Sequence, residues 1–297
     1  MPPLIVSPRH PWGAALRMLV AVGCFALMDA GLKLLSARYP PFQVASLRGA
    51  ASLPFVLVWA LATVGPRPLL RVRWPLHLLR GLLGVVMMVA FVYALRTLPL
   101  STAYTLFFVA PMMITALSVP VLGERVGPRR WAAIAVGFLG VMVVLRPTGE
   151  GVLTLAGVAV LVSALGYAVS AITVRVLART DSSQAMVVWL LTSIALGAGA
   201  LAAPAWVPVA AGDLGLIAGV GVAGALGQYF VTEAFRHGEA SSIAPLEYTA
   251  LLWGVLLDFG LWHVLPDGVT WVGAGIIVAS GLYLLHRERV HLEAEHP

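Results

Sequence analysis

Two stretches of this chain, 140 residues apart, repeat one another. Residues 81–101 read GLLGVVMMVAFVYALRTLPLS, and residues 221–241 read GVAGALGQYFVTEAFRHGEAS. The identical positions are Gly81 and Gly221, Gly84 and Gly224, Ala94 and Ala234, Arg96 and Arg236, and Ser101 and Ser241, and further along Trp131 falls on Trp271. Because one offset aligns three separate stretches, we interpret the chain as two copies of a single unit.

The composition indicates a membrane protein. Of the 297 residues, 60% are apolar and 11% are charged, and the mean hydropathy is +0.93, whereas soluble domains carry roughly 25% charged residues. A membrane-spanning helix needs about 20 mostly apolar residues. Ten stretches qualify: 13–35, 41–63, 75–97, 101–121, 128–146, 152–175, 183–203, 212–236, 240–262 and 267–286. We therefore predict an all-α polytopic membrane protein with ten transmembrane helices.

The repeat assigns five of these spans to residues 1–147 and five to residues 148–297. Since five is odd, the two units must lie upside down relative to each other, which is the architecture of alternating-access carriers with a site near the membrane midplane. Cytoplasmic loops retain Lys and Arg. The side with both termini carries fourteen arginines and the other side four basic residues, so we predict cytoplasmic termini. The net charge of +6 then reflects topology, and no nucleic-acid partner is needed to explain it.

Several function classes are excluded by what the sequence lacks. Cys24 is the only cysteine, so there is no disulfide framework and no cysteine-based metal site. The HExxH, GxSxG and GxxxxGK[ST] motifs are absent, and no histidine pair has ligand spacing. We expect no enzyme activity, catalytic residue, metal, cofactor or ATP site. The expected partners are a small-molecule substrate and the lipid bilayer, with a monomer or a weak homodimer as the assembly.

Charged residues inside the predicted spans are the first candidates for a site. Such residues cost at least ~2.5–3.5 kcal/mol on insertion, so they normally face a cavity or a partner. Asp29, Arg48 and Glu247 are predicted to contact substrate, and Asp29, Glu247 and Asp258 are candidates for proton coupling. Structural ion pairs remain the alternative, and Lys33, one helical turn from Asp29, can pair with it.

Aromatic and amide side chains in the same spans are the second group of candidates. They supply flat apolar surface with a polar group at one end, which suits recognition of small molecules. The predicted substrate contacts of this kind are Tyr93, Tyr104, Phe107, Phe108, Tyr167, Trp189, Gln228, Tyr229, Tyr248 and Trp253. Packing remains the alternative for each of them.

One run carries a family resemblance. Residues 98–147 read LPLSTAYTLFFVAPMMITALSVPVLGERVGPRRWAAIAVGFLGVMVVLRP, and the second copy contains APLEYTALLWGVLLDFG and LPDGVTWVGAGIIVASGLYLL. With Gly123-Glu124-Arg125 at the end of span four, the chain resembles the EamA group of the drug/metabolite transporter superfamily, including its YddG-type amino-acid exporters. Trp262-His263-Val264 departs from the pattern, so a bracing role for Glu124 does not transfer to the second copy.

The resemblance implies a bacterial inner-membrane carrier whose cavity is lined by spans one to four and six to nine. It specifies the family well and the substrate poorly. Aromatic residues mixed with charges of both signs favour export of amino acids or related metabolites as the first hypothesis. The alternative is a carrier for another class, such as a vitamin, cofactor precursor, adenosyl compound, sugar derivative or drug. A membrane-embedded enzyme or scaffold is the remote alternative.

Overall fold

A computed structural model of the chain describes residues 11–123, 127–145, 154–238 and 243–295. Within these ranges the regular structure is entirely helical. The α-helices are α1 (Pro11–Ser36), α2 (Pro41–Thr63), α3 (Pro66–Leu70), α4 (Trp74–Leu95), α5 (Leu100–Phe107), α6 (Val109–Leu122), α7 (Pro128–Leu145), α8 (Leu155–Leu177), α9 (Ser183–Ala202), α10 (Leu214–His237), α11 (Ala250–Leu257) and α12 (Gly268–Glu295). Short 3₁₀ turns cover Ala203–Ala205, Ala211–Asp213 and Ala244–Thr249, and a π-helical turn covers Asp258–Trp262.

Seven helical segments in the described ranges are long and apolar enough to cross a membrane. They correspond to predicted spans one to four and six to eight. The fifth and tenth predicted spans correspond to shorter apolar helices, Trp131–Val143 and Gly268–Ser280. The ninth is divided between the Ala244–Thr249 turn, α11 and the Asp258–Trp262 turn. The chain is a polytopic all-helical membrane protein. The count of ten spans, the inversion and the side of the termini stay predictions.

The packing of the helices follows the proposed repeat. α1 packs on α10 and α4 on α8, which are equivalent contacts under the 140-residue offset. α2 packs on α9 and α10, and α4 on α9, while α7 and α12 pack mainly on each other. This pattern supports the prediction of a repeated unit, and it places α7 and α12 at the edge of the bundle.

The fourth predicted span is interrupted at Phe108, between α5 and α6. Pro111 has no amide hydrogen to donate to the carbonyl of Phe107, so the helical hydrogen-bond ladder cannot continue through this point. α6 ends at Leu122, and the following Gly123 has a φ of 74°, the left-handed conformation that glycine adopts easily. Glu124 and Arg125, which the resemblance singled out, lie outside the described residues.

A loop between α8 and α9 is fixed by one carboxylate. Asp181 accepts hydrogen bonds from the backbone amide of Arg73 at 3.1 Å and from the Thr180 hydroxyl at 2.6 Å, and it lies 2.8 Å from Nε2 of His77. Burial alone would raise the pKa of Asp181, but the hydrogen bonds from Thr180, His77 and Arg73 outweigh it and hold the pKa below its usual value. Arg236 of α10 donates to the Asp181 carbonyl at 3.0 Å. These contacts join α4, α8 and α10 at one end of the bundle.

Close packing of α2 against α10 leads to a first prediction. A Cβ on Gly221 would overlap the backbone of Ala51, whereas a Cβ on Gly219, two residues earlier on the same helix, meets nothing. Gly221→Ala is therefore expected to destabilise the protein by about 1–3 kcal/mol, the usual effect of overpacking. Gly219→Ala is expected to be neutral or stabilising by up to about 1 kcal/mol, because alanine restricts the unfolded chain. Thermal melting of both variants in detergent measures the difference. Equal melting temperatures would contradict this account of the interface.

Candidate functional site

A cavity of about 140 Å³ lies between the helices. The lining residues come from α1, α2, α4, α5, α8, α10, α11 and the turns beside them: Met18, Val22, Phe25, Ala26, Met28, Asp29, Arg48, Met87, Met88, Phe91, Tyr104, Phe107, Phe108, Ser163, Tyr167, Gln228, Val231, Glu247 and Ala250. α7, α9 and α12 contribute none of them.

A row of four aromatic rings crosses the wall of the cavity. Tyr104 stacks on Phe91, with centroids 6.4 Å apart and planes 10° from parallel. Phe91 meets Phe107 at 5.7 Å, and Phe107 meets Tyr167 at 5.4 Å. We call Tyr104, Phe91, Phe107 and Tyr167 the aromatic row. Neighbouring rings in this row are tilted by 69° between Phe91 and Phe107 and by 49° between Phe107 and Tyr167, so each ring offers its own face or edge to a ligand.

A buried carboxyl group lies at each end of the aromatic row. The Tyr104 hydroxyl donates to Asp29 at 2.9 Å, and the Tyr167 hydroxyl donates to Glu247 at 2.6 Å. Asp29 is 6% exposed and Glu247 8% exposed. Under the 140-residue offset, the two spans that hold Asp29 and Tyr104 correspond to the two spans that hold Tyr167 and Glu247. The cavity therefore has two acidic ends joined by an aromatic wall.

Arg48 lies on α2 close to the Asp29 end and is 2% exposed. Its Nε contacts Sδ of Met28 at 3.4 Å, and its Nη1 has no hydrogen-bond partner within the described ranges. Gly224 of α10 packs beside this group, and a Cβ there would lie 3.0 Å from Sδ of Met28 and 3.1 Å from Oγ of Ser52. A strong donor is thus kept at the cavity wall with only a weak thioether acceptor.

Five of the predicted substrate contacts lie outside the cavity. Tyr93 is exposed on the outer surface of α4, and Trp253 is also exposed and packs near Gly23. Trp189 donates its indole N–H to the Leu69 carbonyl at 2.7 Å. Tyr229 packs edge-on against Trp59, and Tyr248 packs behind the lining residue Phe108. The structure gives these residues packing contacts instead of a place at the cavity.

Asp258 also lies outside the cavity, and it is fully buried. Its Oδ1 accepts from the Leu100 amide at 3.0 Å, and its Oδ2 accepts from the amide and the hydroxyl of Ser101, each at 2.7 Å. Lys33 approaches Oδ1 at 3.6 Å. The alternative in which Lys33 pairs with Asp29 is therefore not the arrangement observed, because Lys33 lies beside Asp258. Asp258 caps the first turn of α5 and links it to α1.

Comparisons with known proteins agree with this architecture. Residues 12–146 match the model of the EamA-like transporter family. A riboflavin transporter of Rhizobium johnstonii is 32% identical over 96% of this chain and 95% of its own. The chain belongs to the EamA-like transporter family. A pseudopaline exporter of Pseudomonas aeruginosa is 28% identical, with 88% of this chain and 91% of the exporter covered. An S-adenosylmethionine uptake transporter of Rickettsia prowazekii is 27% identical over 94% of both chains.

A crystal structure at 21% sequence identity shares the fold, with a TM-score of 0.67 over 90% of this chain and 94% of the other. Membership in the EamA-like family and the apolar helices make this a multi-pass protein of a bacterial inner membrane and a transporter, not an enzyme. The resemblance to the drug/metabolite transporter superfamily is thereby confirmed. The likeness to YddG-type exporters stays a prediction.

Residues that the sequence analysis did not select form much of this EamA-family cavity. Phe91 and Phe25 are the aromatic members, and the others are mainly methionines and valines. A helical pattern could have identified some of them. Met18, Val22, Phe25 and Asp29 are spaced by three or four residues, so they share one face of α1. The charge on Asp29 marked that face, and its apolar neighbours could have been included.

Proposed function

We propose that this EamA-family protein is a secondary carrier for a planar heteroaromatic metabolite of the vitamin or cofactor-precursor class, with riboflavin as the lead substrate. The aromatic row is the observation that carries the proposal. Stacking of a heterocyclic base on an aromatic side chain contributes about 1–3 kcal/mol, and the row supplies four aromatic rings along one wall, any of which can provide such a contact. Riboflavin has a fused flat ring system and a hydroxylated chain, which suit the aromatic wall and the polar ends.

The relatives support this substrate class over amino acids. Three relatives are transporters of riboflavin, pseudopaline and S-adenosylmethionine. An amino-acid zwitterion would use Arg48 and Asp29 and leave most of the aromatic row without a partner. Amino-acid export, the first hypothesis from the sequence, therefore becomes the less favoured one.

A second candidate substrate is a cationic adenosyl compound. The cavity holds two carboxyl groups, on Asp29 and Glu247, against one guanidinium, on Arg48. With both carboxyls ionised this lining is net negative and favours a sulfonium or ammonium group. An adenine ring can also stack on the aromatic row.

Transport would proceed by alternating access, because side-chain contacts join the helices at each end of the bundle. The Lys33–Asp258–Ser101 contacts join α1, α5 and the end of α11 at the predicted outer side. The contacts of Asp181 join α4, α8 and α10 at the predicted cytoplasmic side. Each set must loosen in turn for substrate to leave through that end.

Counterflow in proteoliposomes tests the proposed function. Vesicles preloaded with unlabelled riboflavin are expected to take up labelled riboflavin faster than empty or protein-free vesicles. S-adenosylmethionine, threonine, methionine and tryptophan are tested in the same way. Phe107→Ala is expected to raise the half-saturating concentration about tenfold, since 1.4 kcal/mol of lost stacking corresponds to that factor.

Phe138→Ala is the matched control, because Phe138 lies exposed on α7, away from the cavity. It is expected to leave the half-saturating concentration unchanged. Exchange of S-adenosylmethionine without exchange of riboflavin would select the second candidate. Exchange of amino acids alone would restore the first hypothesis from the sequence and reject the proposal.

A further inference from the structure

The buried guanidinium of Arg48 lacks the partners that such a group requires. A guanidinium has five N–H donors, yet the bond from Nε to the Met28 thioether is the only one that Arg48 makes within the described ranges. Leaving a buried charged donor unpaired is costly. A buried donor at a cavity wall that meets no protein acceptor indicates a ligand acceptor at that place.

Asp29 offers the complementary group beside it. The carboxyl accepts one hydrogen bond, from Tyr104, and no second hydrogen bond to it occurs in the described part of the chain. Arg48 and Asp29 both line the cavity, and within those ranges they form no salt bridge. A ligand that both donates and accepts would satisfy the two groups together.

We propose that Arg48 and Asp29 together bind the imide edge of a planar heterocycle, in which an N–H lies between two carbonyl groups. Arg48 donates to a ring carbonyl, and Asp29 accepts from the ring N–H. The ring body then stacks on the aromatic row that begins at Tyr104. This inference rests on the proposed function and extends it, because it states which edge of a riboflavin-like ring the protein recognises.

The other end of the cavity has a different composition. Tyr167 donates to Glu247 at 2.6 Å, and within the described residues no basic side chain contacts Glu247. Arg80 is buried beside Tyr167 but donates to Ser170 and to the Met186 carbonyl and does not line the cavity. Among the described lining residues, that end therefore has acceptors for hydroxyl groups and lacks a charged donor for ring carbonyls. The distribution of donors therefore orients the ligand, with the imide edge toward α2 and the hydroxylated chain toward α8 and the turn at Glu247.

Methylation of the imide nitrogen provides the test, since it removes the N–H and keeps the ring. The full-length protein in detergent is titrated with riboflavin and with 3-methylriboflavin, and the quenching of flavin fluorescence gives each Kd. We expect the wild type to bind 3-methylriboflavin at least about tenfold more weakly, the effect of losing a hydrogen bond to a charged group. In Asp29→Ala the ratio of the two Kd values is expected to fall to about one.

Arg48→Gln is expected to raise the Kd of both flavins by a similar factor of about ten or more, because both flavins retain the ring carbonyls. Arg96→Gln is the matched control, since Arg96 is exposed and does not line the cavity. It is expected to change neither Kd. Where a variant fails to fold, the ratio measured in the wild type still tests the assignment.

Equal affinity of the wild type for both flavins would overturn the imide assignment and leave the proposed function standing. An unchanged ratio in a folded Asp29→Ala protein would also overturn it. Failure of the wild type to bind or transport riboflavin would reject the proposed function, and the imide assignment with it.

Discussion

Asp258→Asn is expected to lower the stability of the protein by at least about 3 kcal/mol. Removing one partner of a buried charged pair typically costs about 3–5 kcal/mol, and Asp258 is 0% exposed. Both of its oxygens face donors, from Leu100 and Ser101. Asparagine replaces one oxygen by an NH₂ group, which would point at an amide or hydroxyl that also donates. The expected result is a marked fall in the melting temperature in detergent.

Asp267→Asn is the matched control for this substitution. Asp267 accepts from the Thr270 amide at 2.9 Å at the exposed start of α12, and asparagine and aspartate are nearly equivalent at such positions. The control is expected to melt within about 0.5 kcal/mol of the wild type. Similar melting of both variants would show that the contacts of Asp258 do not stabilise the joined ends of α1 and α5.

The helical architecture could be predicted because a bilayer permits few alternatives. A backbone in hydrocarbon must satisfy its own hydrogen bonds, so apolar stretches of about 20 residues become helices. The break at Phe108 also follows from the sequence, since Pro111 removes an amide hydrogen. The π-helical turn at Asp258–Trp262 did not follow, because it depends on the contacts that Asp258 makes with α5 after the helices have packed.

The charged part of the cavity could be predicted for a different reason. Asp29, Arg48 and Glu247 lie in apolar helices, where the cost of insertion directs such groups toward a cavity or partner. The same reasoning does not place Asp258 at the cavity. The cost of burying its charge is offset by backbone donors and by Lys33. Burial alone therefore cannot separate a capping carboxylate from one that faces substrate.

Aromatic residues were harder to assign because the sequence does not give the rotation of each helix. Tyr93 was selected and lies on the outside, while Phe91, two positions earlier, belongs to the aromatic row. Residues two apart point to nearly opposite sides of a helix. Both faces of α4 are apolar, so composition does not reveal which faces the cavity. Packing against α8 settles the orientation, and that information lies in another part of the chain.

Glu247→Gln is expected to abolish accumulation of substrate driven by a proton gradient while counterflow continues. Of the proton-coupling candidates, Asp29 and Glu247 face the cavity, and Glu247 has Tyr167 as its hydrogen-bond donor with no cation in contact in the part of the chain that the structure describes. A charged carboxylate buried in that setting is energetically costly. Either protonation of Glu247 or binding of substrate beside it can offset this cost. We propose that Glu247 carries the coupled proton, since Arg48 lies nearer to Asp29. Glutamine keeps the shape and the acceptor but cannot release a proton.

Two assays in the same proteoliposomes separate coupling from binding. Counterflow needs no net proton movement, so Glu247→Gln should retain it within about threefold, as expected when a hydrogen bond of about 0.5–1 kcal/mol is altered. Uptake into vesicles with an acidic exterior should then equal uptake without a gradient. Glu233→Gln is the matched control, because Glu233 pairs with His237 outside the cavity, and it should accumulate substrate like the wild type. Gradient-driven accumulation by Glu247→Gln would remove Glu247 as the coupling residue. Repeating the assay with Asp29→Asn would then show whether the proton is carried at the other end of the aromatic row.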